Sequence, residues 1–105
     1  SLCRPDFIQR SLAFKNTAGL VGTIFDDEGA RVSYKVGGPS GDEHLSLSFF
    51  EFQNPDAPLQ GWTVTLMSGL EELMTGNTDE LGVFRLPDGI EDFPEGAHML
   101  IEKPV

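Results

Sequence analysis

Two histidines, one cysteine and seventeen carboxylates are the groups in this 105-residue chain with the chemistry to bind a metal or move a proton. Their spacing argues against both tasks. A zinc site needs three or four ligands converging on one point, and a catalytic triad needs a nucleophile beside a base. His44 follows Asp42 and Glu43 at a loop edge, whereas His98 lies inside an alternating run near the end of the chain. His98 therefore reads as a strand side chain. Cys3 has no second cysteine to pair with, so no intrachain disulfide is available. The carboxylates gather at Asp26-Asp27-Glu28, Asp42-Glu43, Asp79-Glu80, and Glu91-Asp92 with Glu95. None has the D-x-D-x-D-G spacing that converges oxygens on calcium. Each falls at a turn, where a carboxylate is expected to be solvated. The expectation is a protein with no catalytic set, no metal and no cofactor.

The aromatic residues offer a second kind of chemistry. Trp62 and Tyr34 would suit a sugar platform, but the alternation around each turns it inward. Most of the eight Phe likewise read as core. Phe7, Phe14 and Phe93 fall outside the clear strands, and exposed aromatics there would mark an interface. They are the candidate contact residues.

Bulk properties narrow the partners. The net charge is -10, and seven basic residues are scattered singly. Nucleic acid and anionic membranes need clustered Lys and Arg, so both are excluded as partners. The acidic surface reads as solubility, with a basic partner or cations as the alternative. No apolar run is long enough to cross a membrane. The length suits one domain spanning 1–105, and twelve Gly with seven Pro between short apolar runs favour an all-β sandwich or barrel.

The elements that must position these groups follow from period-two alternation. Residues 1–18 form an arm or a short helix from Pro5 to Phe14, since Ile8 and Leu12 fall at i and i+4. Residues 19–36 form a hairpin, Leu20 to Phe25 and Ala30 to Val36, joined by Asp26-Asp27-Glu28-Gly29. Its second strand turns Val32, Tyr34 and Val36 inward and Arg31, Ser33 and Lys35 outward. Leu45 to Phe52 is the most apolar strand. Adjacent Phe49 and Phe50 break its phase, which predicts a β-bulge there or a strand buried on both faces. Gln53 to Gln60 reads as a polar, Pro-containing connection. Trp62, Val64 and Leu66 then alternate with Thr63, Thr65 and Met67. Leu70 to Thr78 returns as a strand, with Leu73 and Thr75 on one face and Glu72 and Met74 on the other. Val83 to Leu86 is short, with Phe84 and Leu86 sharing a face. Ala97 to Glu102 closes the set, with Ala97, Met99 and Ile101 on one face and His98, Leu100 and Glu102 on the other. The count is about seven strands.

Three motifs in residues 45–102 carry a resemblance. They are Pro58, Leu59, Gly61, Val64 and Leu66; then Thr78, Asp79, Glu80, Gly82 and Phe84; then Pro94, Gly96, His98 and Leu100. This pattern resembles the transthyretin-like, or carboxypeptidase regulatory-like, β-sandwich domain related to collagen-adhesin B repeats. The resemblance implies a prealbumin-like two-sheet sandwich. Collagen-adhesin B repeats place further strands after the one matching Ala97 to Glu102, a departure that the hairpin at Leu20 to Val36 would make good from the N-terminal side with a permuted strand order. It also implies a binding or assembly role: an accessory or docking domain of a larger or exported protein, at an extracellular, periplasmic or cell-surface location. A protein partner or host polypeptide is the first expectation. A carbohydrate-binding module is the alternative and a small hydrolase the third. The hydroxyisourate-hydrolysing branch carries a C-terminal Tyr-Arg-Gly-Ser, where this chain reads Ile101-Glu102-Lys103-Pro104-Val105. Collagen-adhesin repeats often form a Lys-to-Asn or Lys-to-Asp isopeptide bond, yet the strand Ser46 to Phe52 that would supply the Lys has none. Lys35 beside a neighbouring acid is the remaining option.

Overall fold

The computed structural model describes residues 19–37, 46–86 and 97–105, and every regular element in them is a strand. The N-terminal arm or helix, and with it Cys3, lies outside the described residues, as does His44. Among the described residues no helix is long and apolar enough to cross a membrane.

The hairpin forms where alternation places it. β1 (Val21–Phe25) pairs antiparallel with β2 (Arg31–Val36). Val32, Tyr34 and Val36 are buried, as their phase requires. Gly22 sits on the same inner face, and a Cβ there would run into the Tyr34 ring. Glycine at that point lets the ring lie flat against the strand. Arg31 and Lys35 are exposed, and Ser33 faces the same outward side, opposite Phe50, but is buried there. Its hydroxyl accepts a hydrogen bond from the Gln53 backbone amide at 3.3 Å, which holds it against the next turn.

β3 (Ser46–Glu51) is the hub of this sheet. On one side it pairs with β2 without a break in register. On the other side it is shared. β7 (Val83–Arg85) pairs with Ser46, Leu47 and Ser48, and β4 (Asn54–Pro58) pairs with Phe50 and Glu51. The changeover occurs at Phe49, whose amide donates to the Gly82 carbonyl at 2.8 Å and whose carbonyl accepts from Leu59 at 3.0 Å. The register shift against β4 lies between Phe50 and Glu51, beside the Phe49-Phe50 position predicted for a bulge. It does not re-aim the side chains. Phe49 stays in the core and Phe50 faces the other side, half-buried. Burial of both Ser46 and Leu47 likewise fits a strand covered on both faces.

β4 corrects the reading of Gln53 to Gln60 as a connection. Glu51 and Asn54 pair directly, so Phe52 and Gln53 make a two-residue turn, with Gln53 in the left-handed region at φ 59°. Proline is tolerated in β4 because the strand lies at the sheet edge. The described residues therefore hold eight strands.

The second sheet has the order β6-β5-β8, from β5 (Thr63–Ser68), β6 (Glu71–Asn77) and β8 (Ala97–Glu102), all antiparallel. Val64, Leu66, Ala97, Met99 and Ile101 are buried, as alternation dictates. In β6 the expected facing changes. A register shift pairs Leu66 with Met74 and Met67 with Glu72, leaving Leu73 as the extra residue. Leu73 and Met74 both pack against the core, and Thr75 faces out to hydrogen-bond Thr65 at 3.0 Å between hydroxyls.

The two sheets enclose one cluster that includes Ile24, Tyr34, Leu47, Phe49, Val64, Leu66, Phe84, Met99 and Ile101. Each such side chain contributes about 1.5–3 kcal/mol when fully buried. The arrangement is that of an all-β sandwich. An isolated parallel bridge between Asp26 and Ile101 ties the end of β1 to β8.

Candidate functional site

Of the groups singled out for chemistry, His98, Lys35, Trp62 and the acidic turns at Asp26 and Asp79 lie among the described residues. A pocket joining His98 with Arg85 and a carboxylate would be the sign of an enzyme; His98 lies on β8 opposite Met67, and Arg85 lies on β7 in the other sheet. Among the described residues no cluster of three His, Cys, Asp or Glu is placed to hold a metal ion. Lys35 is paired across strands with Val21 and Ser48, so neither neighbouring strand sets an acid opposite it. Trp62 is only partly buried, with its ring packed on the core, rather than wholly internal.

The acidic turns were expected to be solvated, and Asp26 corrects that expectation. Its side chain is 0% exposed. Oδ1 accepts hydrogen bonds from the amides of Glu28 and Ala30, each at 2.8 Å. Oδ2 is buried without a hydrogen bond, and Lys103 Nζ stands 3.9 Å away. Lys103 in turn donates to Glu28 Oε1 at 2.8 Å. That hydrogen bond, followed by the negative charge of Glu28, raises the Lys103 pKa above its ordinary value. This cluster pins the strand end after β8 to the β1–β2 turn. Its chemistry is structural.

The Thr-Asp-Glu-x-Gly motif is structural too. The Thr78 hydroxyl donates to the Leu59 carbonyl at 2.6 Å and accepts from the Trp62 amide at 2.9 Å. One buried side chain thereby joins the Pro58-Leu59-x-Gly61 segment to the turn before β7. Gly82 has φ +76°, and a Cβ there would collide with the Phe49 carbonyl.

The feature left without a structural task is the outer face of the five-stranded sheet. Gly19, Val21, Lys35, Ser48, Phe50, Pro55, Pro58 and Leu81 line an open trough of about 670 Å³ on it. Its positions follow from phase. Val21, Lys35, Ser48 and Phe50 lie opposite in phase to the core residues Tyr34 and Phe49, and Pro58 pairs with Phe50. Val21 is 59% exposed and Leu81 57% exposed. The walls are apolar, and the polar groups are Lys35 and Ser48. A volume of this size is in the range of ligand and side-chain pockets, about 300–1,000 Å³.

Phe7, Phe14 and Phe93, the contact residues picked from sequence, lie outside the described residues. The trough residues were missed. The one available signal was Phe50, an aromatic in the outward phase of an otherwise regular strand.

Comparison of the chain with protein-family models, with characterised proteins and with solved structures finds no match. What the structure shows of the resemblance is its coarser part, an all-β fold of two antiparallel sheets.

Proposed function

We propose that the chain is a non-catalytic binding or assembly module of transthyretin-like type, whose contact surface is the outer face of the five-stranded sheet. The observation that carries this reading is the trough. Val21 and Leu81 are more than half exposed, beside Phe50, Pro55 and Pro58. These apolar side chains come from β1, β3, β4 and the turn before β7 and line one trough. The partner is a polypeptide, either a separate protein or the larger exported chain to which this domain is an accessory. An apolar, proline-walled surface suits polypeptide side chains better than sugar hydroxyls, which call for many polar groups.

The test uses Val21→Asp and Leu81→Asp. Both positions are exposed, so each variant keeps its stability to within about 0.5 kcal/mol. A partner that copurifies with the wild-type chain from its source is lost with both variants. Retention of that partner by two folded variants refutes the assignment of the surface.

A further inference from the structure

The chain enters the described fold through a wall of the trough. Gly19 lines it beside Val21. The Gly19 amide donates to the Val36 carbonyl at 2.9 Å, and its φ of 84° turns the backbone at that point. Residues 1–18, which lie outside the described residues, are therefore joined directly to one end of the trough. The trough runs across the sheet order from β1 to β4. At a strand spacing of about 4.8 Å, that crossing is roughly 15 Å. About five extended residues span it. Phe14 stands five residues before Gly19, within reach of the far wall at Phe50 and Leu81.

Charge points the same way. Arg4, Arg10 and Lys15 against Asp6 give residues 1–18 a net charge of +2. Residues 19–105 hold the other sixteen acids and four basic residues, a net charge of -12. At the far rim, Asp56 stands between Pro55 and Pro58, and Glu80 adjoins Leu81; both acids are exposed. A segment that is apolar at Phe7, Ile8, Leu12 and Phe14 and basic between them matches apolar walls with an acidic rim. A second copy laid face to face does not, because two acidic surfaces repel.

We infer that residues 1–18 occupy the trough in the free chain, with Phe14 seated against Phe50, Pro58 and Leu81 and Arg10 reaching the acids of the rim. A covalent tether holds such a segment at an effective concentration on the order of millimolar, so a weak contact fills the site. This rests on the contact-surface reading and adds its regulation. The partner polypeptide displaces the segment, and its apparent affinity falls with the fraction of chains left open.

The experiment uses the full isotope-labelled chain carrying Cys3→Ser and Ala13→Cys, with a nitroxide attached at position 13. The amide signals of Ser48, Phe50 and Leu81 are expected to lose most of their intensity, while Thr75, on the outer face of the other sheet, keeps its own. Phe14→Asp restores the trough signals and increases capture of the copurifying partner severalfold. Trough signals at full intensity in the nitroxide-bearing chain overturn the inference and leave the contact surface to its own variants. Equal loss when nitroxide and isotope are carried on different chains overturns the tethered occupant in favour of exchange between copies. Loss that Phe14→Asp relieves, with partner capture indifferent to Phe14→Asp, Val21→Asp and Leu81→Asp, keeps the segment in the trough and overturns the trough as the partner's site.

Discussion

Asp26 and Asp79 build the same turn at two unrelated places in the chain. Each Oδ1 accepts from the amides two and four residues ahead, Glu28 and Ala30 for Asp26, Leu81 and Val83 for Asp79. Each backbone amide donates to the carbonyl four ahead, at 2.7 Å for Asp26 and 2.9 Å for Asp79. Each backbone carbonyl accepts from a glycine three ahead, Gly29 or Gly82, and both glycines have positive φ. The D-x-x-G spacing is thus a folding device, because the short Asp side chain satisfies amides the turn would otherwise leave open. One difference separates the two. Asp26 is buried beneath Lys103, while Asp79 is exposed.

That difference sets the first prediction. Asp79→Ala frees amides that water can reach and costs about 1 kcal/mol. Asp26→Ala leaves two amides and the Lys103 ammonium short of a buried partner and costs about 2–4 kcal/mol. Urea unfolding of the two variants checks this. A larger loss for Asp79→Ala contradicts the account.

The glycines of the two turns also separate. Gly29→Ala meets nothing within 4 Å and carries only the left-handed strain, about 1 kcal/mol. Gly82→Ala adds a clash with the Phe49 carbonyl at the point where β3 changes partners, and costs at least about 2 kcal/mol. Equal thermal shifts for the two variants would show that the approach of Gly82 to β3 is looser than described.

Strand alternation made most of this fold legible. β2, β5 and β8 show their inner faces in Tyr34, Leu66 and Met99 because both neighbours of each are polar or outward. β4 was hidden for a physical reason. Asn54-Pro55-Asp56-Ala57-Pro58 has no apolar alternation, since an edge strand needs only two matched positions against β3, Phe50 with Pro58 and Glu51 with Asn54. Leu73 and Met74 were split between faces because a register shift is set by the partner strand and leaves no mark in β6 itself. The trough was illegible because its walls come from β1, β3, β4 and the turn before β7, which only the sheet order brings together.

Lys103 gives a pH-dependent prediction. Its pKa is raised above 10.5, chiefly by the hydrogen bond to Glu28 and then by the charge of Glu28, with smaller help from Asp26 and Asp27 against desolvation. A raised folded-state value means that the folded chain holds the proton more tightly. The stabilisation is complete below the unfolded value of 10.5 and is lost as pH climbs through the higher folded value. Lys103→Met therefore lowers stability at neutral pH, and its deficit against wild type shrinks at pH well above 10.5. Added salt shrinks it too, because the pair is exposed to solvent. A deficit that does not change with pH would assign the effect of Lys103 to packing.

Trp62 tests the half-buried position. Full burial of an aromatic ring would make Trp62→Ala cost about 3–5 kcal/mol, and partial burial on the core reduces this to about 2 kcal/mol. Denaturant unfolding distinguishes the two values. A cost below about 0.5 kcal/mol would place the ring outside the core.

Site-specific photocrosslinking tests the contact surface most directly. A benzophenone side chain is introduced at Val21, at Leu81 or, on the outer face of the other sheet, at Thr75, and each chain is irradiated in its source cells. Adducts of one common mass from Val21 and Leu81, with none from Thr75, are the predicted result. Adducts from Thr75 alone would contradict the assignment of the trough as the place where this module meets its partner.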